Sequence, residues 1–533
     1  MGSQRSGSQR LHVQPLVWAW ALLVAGALLA SPSLAGGMQH PAVVLRGCSD
    51  DSGALCGAIS VPWDRRRPRR GRTHIAFKLY RHTDRSRPVL GTVVAMNGGP
   101  GGASTKLGAF PVAGLFSGLL ARRDLLLVDQ RGTGQSGAID CPTLQATAPQ
   151  VLPSRGLRAA VGACARRLGW RANLYGSGAA ADDLDAVRKA LGIARIDLYG
   201  LSYGTFLAQA YAARYGAHLR SLILDSAYPA RGMDIWERDN ARAFRFGIRL
   251  VCLRDAVCRA ARRDPVADLR RAAERLRRHA ISGTVTTGAG RRVRVRLDAS
   301  ALTGMAYDAG GFAVPQLYEQ LDAASRALLA GDTTPLLALY VDTLALPAPA
   351  SDWSNGLYAA VTCHDYPVPF DRAASIPMRD TELARARGRL APASFAPFTV
   401  ADWLSAPIEP ANYLGCIEWP SPSTNDPPIP VHARFPAVPT LVLAGDLDTS
   451  TALPTARALA RRFPRAQFVS FANATHVLLI TPCARELIAR FVISLRVGDT
   501  SCASRLPPVH PVNSLAHSRV SLQILPDSRR SSL

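Results

Sequence analysis

The chain has 533 residues, 48% of them hydrophobic and 19% charged, with glycine and proline spread along its length. That is the make-up of a globular protein with one large core and a second compact unit, and it excludes a chain that is membrane-embedded or disordered for most of its length. The formal charge is +24, yet only Lys78, Lys106 and Lys189 are lysines, and the densest cluster, Arg65, Arg66, Arg67, Arg69 and Arg70, is broken by Pro68; without a helix or interleaved aromatics it reads as a solvated loop, so no nucleic-acid partner is expected and only attraction to an anionic cell envelope stays open.

Residues 1–35 form a leader. Arg5 and Arg10 precede the apolar run Val17 to Ala30, and Ser33-Leu34-Ala35 puts small residues where a signal peptidase cuts. The run is short for a membrane span of about 20 residues, so a secreted or periplasmic protein is expected, with retention as an N-terminal anchor as the alternative. No integral membrane partner is expected. Residues 36–230 alternate short apolar runs with amphipathic stretches, as a mostly parallel sheet with crossover helices does. Strands are expected at Thr92–Met96, Asp124–Val128, Ile196–Tyr199 and Ser221–Leu224, and helices at Ala180–Leu191 and Thr205–Tyr215.

Residues 231–434 are rich in Arg and Ala and mainly helical in period, with proline-rich breaks, and read as a cap inserted into one sheet. Strand–helix alternation resumes over 435–502, with strands at Thr440–Ala444 and Gln467–Phe471. From Ala503 to Leu533 the periodicity stops, and a disordered tail is expected. Ten cysteines fall in local groups without a CxxC pair or a Cys/His cluster. Disulfides between neighbours in chain order (48–56, 141–164, 252–258, 363–416, 483–502) suit an oxidising compartment, and no metal or organic cofactor is implied.

Gly200-Leu201-Ser202-Tyr203-Gly204 is a G-x-S-x-G sequence between an expected strand and an expected helix. In that context the glycines allow a sharp turn that lifts the Ser202 hydroxyl above the sheet. A serine needs a base, and the base needs an orienting acid, in the chain order Ser, Asp, His for this architecture. Asp448 follows the TLVLA strand and His476 follows the QFVSF strand; Asp446 is the competing acid and could instead brace the turn. The oxyanion of a tetrahedral intermediate needs N–H donors, expected from Tyr203 and from Gly99 in the loop Asn97–Gly102.

These stretches occur together and in order: NGGPGG at 97–102, DQRGTGQS at 129–136, GLSYGT at 200–205 and GDLD at 445–448. They resemble the prolyl-aminopeptidase-like serine peptidases of the α/β-hydrolase fold, especially the secreted tripeptidyl-aminopeptidase branch of bacteria. Cys56 leading into Val61-Pro62-Trp63-Asp64, and Cys416-Ile417-Glu418-Trp419-Pro420, add to the likeness. The resemblance covers roughly residues 45–502 and implies an α/β-hydrolase with a helical cap. It also implies Ser202, Asp448 and His476 as triad and Gly99 and Tyr203 as oxyanion hole. Thr475 stands where many relatives have glycine before the histidine, and Asn97 where simpler prolyl aminopeptidases have histidine.

An aminopeptidase must hold the free α-amino group of a peptide, and a cap carboxylate suits that cation. Glu237 and Asp365 are the candidates. A carboxylic-ester hydrolase using the same triad is the alternative, and a non-catalytic binding protein on the same fold a remoter one.

Overall fold

Nine strands form the central sheet of the computed structural model, which describes residues 43–512 except 107–111, 147–153, 287–289, 312–314, 345–347, 409–412, 423–425 and 431. They are β1 (Arg46–Gly47), β2 (Leu55–Pro62), β3 (Arg72–Tyr80), β4 (Thr92–Met96), β5 (Asp124–Val128), β6 (Ile196–Leu201) and β7 (Leu219–Asp225), then, beyond an insertion holding the hairpin β8 (Ile281–Thr286) and β9 (Arg292–Leu297), β10 (Thr440–Gly445) and β11 (Ala466–Phe471). The order across the sheet is β1-β2-β3-β5-β4-β6-β7-β10-β11. From β5 to β11 every pairing is parallel, and β1, β2 and β3 add an antiparallel edge.

The parallel strands are apolar on both sides because both faces are covered. Val94, Met96, Leu198 and Leu224 pack with the helices Ser177–Ala190 and Tyr203–Tyr215, whereas Val93, Ala95, Leu201 and Ile223 pack with the helix Pro482–Ser494. Successive side chains thus serve two separate cores, as the period of two requires. The fold is an α/β hydrolase with a large, mostly parallel sheet.

Between β7 and β10 the chain is mainly helical. The helix Pro265–Arg278 shows why: Asp264 accepts from the N–H groups of Val266 and Ala267, and Pro265 takes the first turn, where no N–H is needed. The hairpin β8–β9 was not anticipated. In β9 the arginines at 292, 294 and 296 face solvent while Val293, Val295 and Leu297 turn inward, a period of two within a charged run.

All ten cysteines are paired, in the chain-order neighbours expected. The expected disordered tail is corrected as far as Val512. Residues 501–504 form a short 3-10 turn, Val509 is buried, and the Val512 N–H donates to the Glu319 carbonyl at 2.9 Å. The leader at 1–35 and the tail beyond 512 lie outside the described residues. Among the described residues no helix is long and apolar enough to cross a membrane. The basic cluster is largely solvated, as expected: Arg66, Arg67, Arg69 and Arg70 are exposed, while Arg65 is held by Asp183 at 2.6 Å and Arg70 lies over the Trp170 ring.

Candidate active site

β6 runs straight into the turn that carries Ser202, and the helix Tyr203–Tyr215 starts on the next residue. Ser202 has φ 54° and ψ −123°, a region that L-residues avoid. The turn is held from several sides. The Ser202 N–H donates to the Asp225 carbonyl at 2.9 Å, and both the N–H and the hydroxyl of Thr205 donate to the Ser202 carbonyl. Glycine is required on either side: a Cβ on Gly200 would lie 2.4 Å from the Gly204 carbonyl oxygen, and one on Gly204 would lie 2.5 Å from that of Met96.

Ser202, His476 and Asp448 come together at the C-terminal ends of β6, β11 and β10. His476 Nε2 is 2.8 Å from Ser202 Oγ, and His476 Nδ1 is 2.9 Å from Asp448 Oδ2. A carboxylate only accepts, so Nδ1 carries the proton and Nε2 presents its lone pair to the serine hydroxyl. Asp448 is buried, and it is fixed by the N–H of Thr451 at 2.7 Å and the Thr451 hydroxyl at 2.5 Å. This is the geometry of a nucleophile, a base and an orienting acid.

Asp446 does something else. It accepts from Arg254 at 2.6 Å and from the Asn473 N–H at 2.8 Å, so it ties the β10 loop to the β11 loop and to a cap helix.

The loop after β4 closes over the serine. A Cβ on Gly98 would lie 2.8 Å from Ser202 Cβ, so the loop backbone and the Ser202 side chain are in direct contact there. Gly99 has φ 117°, and its carbonyl accepts from the Tyr228 hydroxyl at 3.1 Å. Asn97 braces the loop from within, accepting from the Gly98 N–H at 2.7 Å and donating to the Ala103 carbonyl at 3.0 Å. Beneath it Asp129 accepts from the N–H and hydroxyl of Thr105 and from the Gln135 N–H; burial pushes its carboxyl upward. Arg131 is fully buried and makes a two-pronged ion pair with Asp183. The DQRG stretch therefore holds the frame of the site.

Glu237 is half-buried and precedes the helix Arg238–Arg254, with φ 54°. Three residues on, Asn240 donates to the carbonyls of Thr449 and Ser450, so this end of the helix sits against the Asp448 loop. Asp365, the other candidate for a substrate cation, is committed to partners inside the protein. Its side chain is 0% exposed and accepts from the Ser177 N–H at 2.7 Å, the Ser177 hydroxyl at 2.6 Å and His364 Nδ1 at 2.7 Å. The Ser177 hydroxyl in turn meets the Tyr203 hydroxyl at 2.7 Å, and Gln130 donates to that hydroxyl at 3.1 Å. Asp365 thus braces Tyr203, the residue that follows Ser202.

Sequence reasoning missed three supports. Asp225, ending β7, accepts from the Tyr199 hydroxyl and from the N–H groups of Leu478 and Leu479; burial pushes its carboxyl up, with those donors and the nearby His476 pulling the other way. Ser226 accepts from the Val477 N–H at 3.0 Å. Gly310, from the cap helix Ala299–Gly311, accepts from the His476 N–H at 3.0 Å and donates to the Thr449 hydroxyl at 3.2 Å. Only Asp225 had a signal in the sequence, as an acid ending an apolar strand.

Residues 91–247 match the family described as alpha/beta hydrolase fold, and residues 407–502 match the one described as TAP-like protein. A tripeptidyl aminopeptidase of Streptomyces lividans is 24% identical over 85% of this chain and 84% of its own length. The serine protease Hip1 of Mycobacterium tuberculosis is 31% identical over 43% of this chain, and the match spans about half of that protein, 49%. Among solved structures, the proline iminopeptidase of Mycobacterium smegmatis is 17% identical, covering 84% of this chain and 100% of its own, with a TM-score of 0.34. The chain has the α/β-hydrolase fold and is similar to the tripeptidyl aminopeptidases and serine proteases built on it.

Proposed function

We propose that this serine peptidase cleaves peptides close to a free N-terminus, as an aminopeptidase or tripeptidyl aminopeptidase, with Ser202, His476 and Asp448 as its triad. One observation carries the reading: Ser202 Oγ, His476 and Asp448 form an unbroken chain of contacts at 2.8 and 2.9 Å at the C-terminal ends of β6, β11 and β10. His476 Nε2 takes the hydroxyl proton while Ser202 Oγ attacks the scissile carbonyl, and the Nδ1–H stays on Asp448. The oxyanion is met by the N–H groups of Tyr203 and Gly99. In favour of Gly99, the Gly98 and Gly102 N–H groups are already committed to Asn97 and to the Gly98 carbonyl. When the intermediate collapses, His476 returns the proton to the leaving amine. Water, deprotonated by the same imidazole, then releases the acyl group from Ser202.

Glu237 is the acid proposed for the substrate ammonium. It lies on the cap side of the Asp448 loop, one helical turn from Asn240. The domain limits follow the same reading: a hydrolase core at 36–230 and 435–502, with a cap at 231–434. Export is supported by the leader and by five disulfides.

The test is hydrolysis of a free-amino prolyl or alanyl anilide, a tripeptidyl anilide, its N-blocked twin and a short-chain ester, with Ser202→Ala as control. Cleavage of free-amino peptides but not of the blocked twin is expected, with loss of turnover and of fluorophosphonate labelling in Ser202→Ala. Ester turnover without peptide turnover would replace this reading with a carboxylic-ester hydrolase.

A further inference from the structure

The helix Arg238–Arg254 has two apolar faces, and only one is needed by the fold. Its inner face, including Phe244, Ile248 and Val251, is buried in the cap. Its outer face carries Phe246 at 57% and Leu253 at 62% exposure, with Leu250 between them; Val257, 51% exposed, lies on the short helix Ala256–Ala260 that follows. Phe246, Leu250 and Leu253 are spaced i, i+4 and i+7, so they share one side of the helix. The disulfide Cys252–Cys258 pins the two segments together beneath a groove of about 490 Å³.

The rim of this stripe is cationic. Between residues 242 and 263 there are seven arginines and one acid, Asp255; with Arg254 paired to Asp446 and Arg242 to Asp239, the patch still keeps a positive excess. Asp255 is already engaged by the Cys258 N–H and by His510. Asp264, just beyond, caps the next helix. Arg249 and Arg242 add like charge beside Arg245, whose guanidinium is held below its ordinary value by burial and by these two neighbours.

We propose that this face docks onto an anionic lipid bilayer, with Phe246, Leu253 and Val257 entering the headgroup boundary and Arg249, Arg259 and Arg262 meeting the lipid phosphates. An apolar stripe ringed by arginine matches the interfacial helix in both respects, whereas a water-soluble polyanion offers nothing to the exposed Phe and Leu side chains. The chain's own segment beyond Val512 carries Arg519, Arg529 and Arg530 against one acid, Asp527, and so has the same sign as the patch.

The experiment is co-sedimentation of the purified full chain with vesicles of mixed phosphatidylglycerol and phosphatidylcholine, and with phosphatidylcholine alone. At least about tenfold stronger binding to the anionic vesicles is expected, weakening with salt. Phe246→Ser with Leu253→Ser should lower that binding at least about fivefold at an unchanged melting temperature. Arg249→Gln with Arg262→Gln, two exposed changes that leave the apolar core untouched, should remove the preference for anionic lipid; if the serine variant melts early, this variant decides. Equal binding to both vesicle types, or binding undiminished in the deciding variant, overturns the proposal. So does a dimer in sedimentation velocity that the serine variant dissociates, because a second copy would then be the occupant.

Discussion

Arg254, in the last turn of a cap helix, reaches Asp446 at 2.6 Å, and its other terminal nitrogen donates to the Asn473 side chain at 2.8 Å. One arginine of the insertion thereby joins the loop that holds Asp448 to the loop that holds His476. Two carboxylates stand two residues apart, one turned to the histidine and the other to the cap.

The two should separate cleanly in kinetics. Asp448→Asn, with its amide oxygen kept on the Thr451 N–H, turns an NH2 donor toward Nδ1 of His476, favours the wrong tautomer and should lower kcat by roughly 10⁴-fold. Asp446→Asn keeps the histidine's partner but weakens the brace, so it should cost about 1–3 kcal/mol of stability and less than about tenfold in kcat. Thermal melting and steady-state kinetics on the same two proteins check this. Equal kinetic losses would mean that the pairing of Asp448 with His476 does not direct the chemistry.

Glu237 and Asp365 make a second contrast. Glu237→Gln removes the proposed charge for the substrate's amino group and should cost about 1.5–3 kcal/mol in kcat/KM, or roughly ten- to a hundredfold, on free-amino substrates only. Asp365→Asn should act differently. An amide nitrogen facing the donors of Ser177 loosens the Ser177–Tyr203 contact and misplaces the Tyr203 N–H, which should lower kcat by roughly 10–100-fold. Because the Asp365 side chain is fully buried, the ratio of free-amino to blocked turnover should stay as it was. A changed ratio in Asp365→Asn would return that residue to substrate binding.

What could be read from sequence was whatever a short, local pattern decides. β4 and β5 were expected at their observed limits, and the elbow around Ser202 followed from glycines whose Cβ atoms would collide with backbone. Asp448 and His476 could be singled out as candidates because each follows an apolar strand. The contacts that join distant segments were not legible. Asp365 meets Ser177 across 188 positions, and nothing near either residue announces the other. Gly310 looks like any helical glycine until the cap folds against the Asp448 loop. The edge strands β1 to β3 were missed because strands that are short or half-exposed, with polar residues among the apolar ones, lack the continuous apolar run that marks the buried ones.

Gly310 can be tested by adding one methyl group. A Cβ there would lie 1.9 Å from the Leu447 carbonyl oxygen and 2.7 Å from the Thr449 nitrogen, so either the cap helix or the acid loop must move. Gly310→Ala should destabilise the protein by at least about 1–3 kcal/mol and reduce kcat, since the same glycine accepts from the His476 backbone. Gly47, whose Cβ would meet nothing within 4 Å, is the matched control and should tolerate alanine. Wild-type kinetics in Gly310→Ala would show that the cap does not set the histidine loop.

The disulfides should differ in what they contribute. Cys363 and Cys416 are 53 residues apart and join a helix next to Asp365 to the segment ahead of β10, whereas Cys252 and Cys258 are separated by only 6. If the main effect is on the unfolded chain, closing the longer loop stabilises by about 4 kcal/mol and the shorter by about 2 kcal/mol. Paired Cys→Ser substitutions, followed by denaturant unfolding, should show that order. The long crosslink also holds the end of the helix Asn355–Asp365, so its loss should lower kcat through Ser177 and Tyr203 even where the protein remains folded. An unaltered kcat in Cys363→Ser/Cys416→Ser would show that the Asp365 brace stands without the crosslink.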